Sequence, residues 1–374
     1  MTTRASRWLA LLGSFLTLSC FGSSVTSGQD KPQYELGNVK VPAAKADEPV
    51  RGVLALDKAI EHLEHGTKAW SGARNCISCH TNGTYMQIRP ALTGHFGPPA
   101  ADQREFYVAQ LKAFKGLEKK QLKQGTRPAQ VIYLAAGLAE WDAHVTKQLS
   151  EETREALTMM FEIQLDSGTF GTLDCWPPFE SDAYHEATVA AMAAGTAPGW
   201  LASVTDDKTK AGIEKLTQYL RTTPPLHDYS RVLLLWASTR LPDLLNADQQ
   251  KELQQVIFRH QRPDGGWAIR TFAKPEAWGS GGRAAKLKSE PDFENPPSDG
   301  HQTGLAILVL RASGVDAKDE RIQRGLTWIK SNQRESGRWW TRSLNTDSWH
   351  FISYSGTAYP VLALAVCNEI PAKQ

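Results

Sequence analysis

The chain has 374 residues, of which 41% are apolar and 22% charged, and its net charge is +2. The apolar share is enough for a sizeable core, in two or three ordinary domains or in one large repetitive one. The near-neutral balance gives no basis for nucleic-acid binding or for an acidic partner.

Residues 1–28 read as an export signal, which implies an exported, periplasmic protein. Arg4 and Arg7 supply the positive start, and residues 8–21 an apolar run too short and Ser-rich for a bilayer span. Small residues, Gly22 to Ser24 and Ser27-Gly28, follow where a peptidase would cut. Cys20 is the position a lipid anchor would use, although Thr17 stands where bacterial lipoprotein signals usually have Leu. No later segment is long and apolar enough for a transmembrane span. Residues 29–54 carry Pro, Lys and Asp without periodicity and read as an N-terminal arm or linker.

From about residue 55 to 370, two kinds of helix alternate. Amphipathic, charged helices are predicted over 55–68, 103–117, 150–163, 208–220, 247–260 and 320–331, with apolar residues at three- and four-residue steps. Each is followed by a helix that is apolar nearly all round and therefore buried: 79–92, 129–142, 181–195, 228–239, 299–313 and 355–367. Pro128, Ser181-Asp182, Asp228, Ser298-Asp299 and Ser355 read as their caps or breakers. Six such pairs point to a repeat architecture.

The turns repeat as well. Gln261-Arg262-Pro263-Asp264-Gly265-Gly266-Trp267 and Gln333-Arg334-Glu335-Ser336-Gly337-Arg338-Trp339 share Gln-x3-Gly-x-Trp, and Gln164 to Phe170 repeats it with Phe for Trp. The glycine lets the chain leave the outer helix left-handed. The glutamine can bond free backbone at a helix end, and the ring can close the junction between pairs. Lys68-Ala69-Trp70-Ser71-Gly72 takes the same place in the first pair. Two long connections, 270–297 and 338–354, precede the fifth and sixth inner helices.

This repeat resembles the Gln-Trp motif of the triterpene (squalene–hopene type) cyclases. Pro297-Ser298-Asp299-Gly300-His301-Gln302-Thr303-Gly304 and Ser353-Tyr354-Ser355-Gly356-Thr357 resemble helices of that family too. The resemblance covers about residues 55–370. It implies an all-α (α/α)6 toroid of six outer/inner helix pairs, the fold shared with protein prenyltransferases, around a cavity for an apolar or isoprenoid ligand. The family's Asp-x-Asp-Asp acid is absent from the sequence, so squalene cyclisation is not expected. Asp299-Gly300-His301 stands where the prenyltransferases begin a zinc site, with His for Cys, but the matching stretch of the last inner helix holds Tyr354-Ser355-Gly356-Thr357 and no second histidine.

The chemistry is concentrated in Cys76-Ile77-Ser78-Cys79-His80. Cys-x-x-Cys-His is the short signal for covalent haem: two thiols add to the vinyl groups and the adjacent histidine ligates the iron. The pentapeptide resembles that of c-type cytochromes, which makes haem c the expected cofactor, Cys76, Cys79 and His80 its binding residues, His80 the iron ligand, and a redox protein a partner. A disulfide or structural clip and another metal remain open. The histidine directly after the second cysteine favours haem, and zinc would require a second Cys/His pair. His65, His95, His185, His301 and His350 are the candidates for a distal ligand. Glu180, His185 and His301 are the candidate catalytic residues at the cavity mouth, and Cys175 could pair with Cys367. Three function classes follow: a haem-c redox protein on a cyclase-like toroid, a haem-free isoprenoid-binding or prenyltransferase-like protein in which Cys76–Cys79 is a clip, or a non-catalytic toroid used for protein binding.

Overall fold

The computed structural model describes residues 31–171, 176–179 and 182–373. The predicted export signal, Cys175 and Glu180 lie outside them. The described chain is all-α apart from one two-stranded hairpin, and none of its helices is long and apolar enough to cross a membrane.

The outer helices span Leu56–Arg74, Ala101–Lys115, Glu151–Glu162, Asp207–Thr222, Ala247–Arg259 and Glu320–Ser331. Each buries one face; the sixth does so with Ile322, Gly325, Leu326, Trp328 and Ile329. The inner helices are Arg127–Trp141, Ala183–Thr196, Asp228–Ser238, Gly300–Ala312 and Ile352–Val366, preceded by a first one of mixed winding. That one opens as a π-turn over Cys79–Gly83, continues as α-helix through Thr84–Ile88 and ends in the short turns Pro90–Leu92 and Thr93–Phe96. Each inner helix packs on the next, and the sixth returns to the first, so the ring is closed. Small residues permit the tightest approach: a Cβ on Gly300 would sit 2.4 Å from the Gly356 carbonyl, and one on Gly304 2.5 Å from Pro360 N.

The repeated turns work as a stitch between neighbouring pairs. Gln261 Nε2 donates to its own turn at Gly265 O (2.8 Å) and to Arg321 O (2.7 Å) on the next outer helix. Gln164 does the same with Gly168 O (3.0 Å) and Gly212 O (2.9 Å). Gly168, Gly265 and Gly337 have φ of +89°, +90° and +86°, and any Cβ there would strike the next outer helix. Trp267 and Trp339 each donate Nε1–H, at 2.8 Å, to a carbonyl in the last turn of the preceding outer helix, Ile257 and Ile329. Phe170 keeps the ring contact, with Phe161, but has no N–H to give.

The sixth stitch closes the circle. Gln333 Nε2 donates to Gly337 O (2.8 Å) and to Ala55 O (3.0 Å), and its Oε1 accepts from Ala55 N (2.7 Å), at the start of the first outer helix. The 29–54 stretch lies across this seam. Glu335 N donates to Pro49 O, Arg51 N to Gln333 O, and Arg338 to Pro42 O. Its first part forms the hairpin Tyr34–Leu36 with Val39–Val41, packed on the first outer helix.

Three local expectations are corrected. Trp70 to Arg74 is not a turn. The first outer helix runs on to Arg74 and ends at left-handed Asn75 (φ 48°), because Gly72 serves as a seat for Leu36, whose side chain lies 2.3 Å from where a Cβ would be. The sixth inner helix begins at Ile352, so Ser355 lies inside it and bonds Ile352 O. The fourth is capped by His227, whose Nδ1 accepts from Ser230 N, while Asp228 pairs with His260 and Arg231. Asp182 and Asp299 are N-caps, accepting from His185 N (2.7 Å) and Gln302 N (2.8 Å).

Replacing Gln333 by Ala removes three hydrogen bonds and strands two backbone groups, Ala55 N and Gly337 O, since Ala55 O also accepts from Ala59 N. At about 1 kcal/mol each, the cost is about 2 kcal/mol, and larger than for Gln164→Ala, which strands only Gly168 O because Gly212 lies inside an outer helix. Urea unfolding of the two variants measures the difference.

Candidate functional site

The site begins where the first outer helix stops. Gln110 Nε2 donates to Asn75 Oδ1 (3.0 Å) and holds the reversal. The chain re-enters helix at Ser78, whose Oγ accepts from Thr81 N (3.2 Å) while Ser78 N donates to Asn82 Oδ1 (2.7 Å). Asn82 Nδ2 reaches back to Ser71 Oγ (3.1 Å) and Cys76 O (3.0 Å). The first turn is wound wide, with Gly83 N bonded to Ser78 O at 2.8 Å. Such π-turns gather at functional sites. Only glycine fits at 83, since a Cβ would lie 2.3 Å from Ser78 O and 2.7 Å from the Tyr133 ring.

Cys76 is partly exposed; Cys79 and His80 are each 3% exposed, and no disulfide joins the two cysteines. Burial pushes the Cys76 thiol up, opposed by Trp70, Arg74 and Arg127. Burial drives the His80 pKa down to about 3, so the imidazole is neutral, the form in which it can ligate metal. Its Nδ1 lies 2.8 Å from Thr81 Oγ1, which lies 3.1 Å from Tyr34 OH on the hairpin. Phe351 stacks on the imidazole face (4.4 Å between centroids, 25°), and Trp70 meets it edge-on (4.7 Å, 85°). Trp176 stands at 6.4 Å. These three rings, with Tyr34, Trp349 and Arg74, line a cleft of about 490 Å³.

The group implied by the pentapeptide can be tested against this setting. A metal binds imidazole in the ring plane, so a ring stacked on its face does not compete for the nitrogen. The donor set, two thiols three residues apart and a neutral imidazole, and the aromatic wall beside it suit a haem. Among the described residues there is no cluster of three or more His, Cys, Asp or Glu suited to a metal ion.

The remaining predicted residues divide into two groups. His185, on the third inner helix, and His301, on the fifth, are buried on either side of Tyr229 of the fourth, with ring centroids 6.3 Å and 5.9 Å from it. Tyr133 OH lies 3.3 Å from His185 Nε2, and Tyr229 OH 3.1 Å from His301 Nε2. His301 Nδ1 lies 2.7 Å from Ser355 Oγ. The Ser355 hydroxyl hydrogen goes to Ile352 O, so Nδ1–H of His301 donates to Ser355 and Nε2 accepts from Tyr229. Burial lowers the two histidines to about 4 and about 3. Tyr133 links this network to the wide turn, because the same ring abuts Gly83. His65, His95 and His350 lie elsewhere. His65 is on the surface near Glu61, His95 bonds Pro371 O, and His350 accepts from Ser343 N beside Trp340. The rings against His80 are Trp70, Phe351 and Trp176, and none of the five histidines is among them. Cys367 is a buried thiol.

Tyr34, Thr81 and Phe351 escaped sequence reasoning. Tyr34 had a signal: Leu36-Gly37-Asn38-Val39, a two-residue Gly-Asn turn between alternating apolar residues, marks a hairpin.

No family model matches the sequence, and no curated protein matches it. Among solved structures the chain is similar to a glycosidase variant, at 10% identity over 84% of this chain and 98% of that one, with a TM-score of 0.49. A glycosidase variant in complex with glucose gives 11%, 84%, 98% and 0.49, and a wild-type glycosidase 13%, 91%, 94% and 0.40. Likeness at this level carries no functional argument.

Two outcomes follow. Gly83→Ala forces the wide turn apart and costs about 1–3 kcal/mol in chemical denaturation. The buried histidines make the fold acid-sensitive. Unfolded histidine takes its proton near 6.5, whereas His185, His301 and His350 refuse it until about 4, about 3 and about 4. Their contribution is present above 6.5 and is lost as pH falls from there towards 4. Asp299, raised by burial to about 6, acts in the opposite sense, one group against three. The melting temperature is therefore lower near pH 4.5 than near pH 7.5; a flat profile contradicts this.

Proposed function

We propose that this is an exported toroid protein that carries haem c on Cys76 and Cys79, with His80 as iron ligand, and that it works in electron transfer or redox chemistry. The observation that supports this most is His80 itself: a desolvated, neutral imidazole beside two thiols, set against an aromatic cleft of about 490 Å³. Once bound, haem supplies a one-electron redox centre.

The chain's own residues have separate tasks in this reading. Cys76 and Cys79 would hold the haem through two thioethers. With Nδ1–H donated to Thr81 Oγ1, His80 would keep the lone pair of Nε2 for the iron, and Tyr34 steadies Thr81. Phe351 and Trp70 keep water from the imidazole and hold its plane. Arg74, its guanidinium 5.9 Å from the Trp70 ring centre, puts a permanent positive charge at the cleft for the acidic groups of the cofactor. The export signal read at residues 1–28 suits this assignment, since a covalent bond retains a cofactor outside the cytoplasm.

The test is the intact mass and visible spectrum of the full chain made in a host with cytochrome maturation. The expected protein is coloured and heavier by one haem that acid–organic extraction does not remove. Cys76→Ala with Cys79→Ala is colourless, while His80→Ala keeps the covalent haem with an altered Soret band. A colourless, iron-free wild-type protein ends the proposal.

A further inference from the structure

The ring has a second mouth, where the inner helices end, and it holds a cavity of about 380 Å³, within the range of small-molecule sites. Trp236, Leu308, Leu362 and Val366 give it an apolar wall, and Arg240 and Arg311 bring two permanent positive charges. The two arginines differ in how they are answered. Arg240 Nη1 lies 3.7 Å from Glu140 Oε1 and 3.3 Å from Thr196 Oγ1. Burial works to raise the Glu140 carboxyl, but Arg240 and His144 outweigh it and hold it below its usual range. That part of the mouth is internally neutralised.

Arg311 has no such partner. Its Nη1 donates to the Val315 carbonyl, and its other neighbour is the Cys367 thiol. No acidic side chain pairs with it among the described residues, and its Nε is buried with no acceptor. Nε is closed off from solvent and from the cavity alike, so what Arg311 brings to the cavity is its positive charge, unanswered by any acid among the described residues. The carbonyl ends of the inner helices offset part of this charge, since helix C-termini attract cations. They are partial charges spread over backbone carbonyls, however, and do not pair with a guanidinium as a carboxylate does. A carboxylate is the anion that suits a guanidinium, and Trp236, Leu308, Leu362 and Val366 offer the rest of the ligand an apolar wall.

We infer that this cavity binds a fatty acid, with its carboxylate on Arg311 and its chain against Trp236, Leu308 and Leu362. The site lies at the opposite end of the ring from Cys76–His80 and is independent of the haem assignment.

The probe is dodecanoate, titrated below its micelle concentration into the full-length protein as purified and followed by calorimetry and by tryptophan fluorescence. Saturable binding of one dodecanoate is expected, with dodecanol and dodecyltrimethylammonium each weaker by at least about tenfold. Arg311→Met, which keeps the stem and removes the charge, lowers dodecanoate affinity by at least about tenfold while leaving dodecanol unchanged. Ala312→Phe fills the cavity and abolishes binding, and it decides the matter should Arg311→Met fail to fold. The inference is overturned by absence of saturable binding, by equal binding of the ammonium amphiphile, or by full affinity in Ala312→Phe.

Discussion

The bond from Gln333 to Ala55 makes this protein a ring rather than a row. Every stitch joins one outer helix to the next, but only this one joins the last pair to the first, across 278 positions of sequence. A helix of this kind cannot bury its apolar face alone, and in an open array the end pairs would expose theirs. Closure removes the ends. The arm then covers the seam with backbone bonds from Pro49 and Gln333, and Tyr354 of the sixth inner helix packs into Gly66 of the first outer helix. The seam is held from both layers.

Closing a ring of inner helices this tightly decides where space is left. Gly300, Gly304 and Gly356 let the fifth and sixth inner helices touch backbone to backbone, and His301, Tyr229 and Tyr359 fill the interior between them. One void lies at each end, one bounded by the rings that pack on His80 and one beside Arg311. The two ends differ chemically. Helix starts, caps and neutral histidines gather at the first, and helix ends with arginines at the second. A single toroid thereby presents two chemically unlike cavities without a second domain.

The fold was largely legible because its signals are local. The sixth outer helix occupies the predicted residues, 320–331, since its apolar stripe repeats at three- and four-residue steps and Asp319 caps it. The turns were legible because a positive φ needs glycine and the neighbouring backbone leaves no room for more. Reading failed where a distant group had its way over a local preference. Gly72 resembled a turn glycine, but Leu36 from the hairpin needs that gap and the helix runs through it. Ser355 resembled a cap, but the hydroxyl serves His301 from within a helix.

The sequence by itself determined the alternation of outer and inner helices, the stitched turns and the place of Cys76-Ile77-Ser78-Cys79-His80 at an inner-helix start. Each depends on residues within a few positions of one another, where backbone geometry and helical periodicity suffice. The tertiary structure alone decided which groups surround those residues. Tyr34 reaches Thr81 across 47 positions, Phe351 covers His80 from the far end of the chain, and Arg311 is left without an anion. Burial, hydrogen-bond satisfaction and the depressed pKa of His80 are properties of that packed neighbourhood, and no window of sequence contains it.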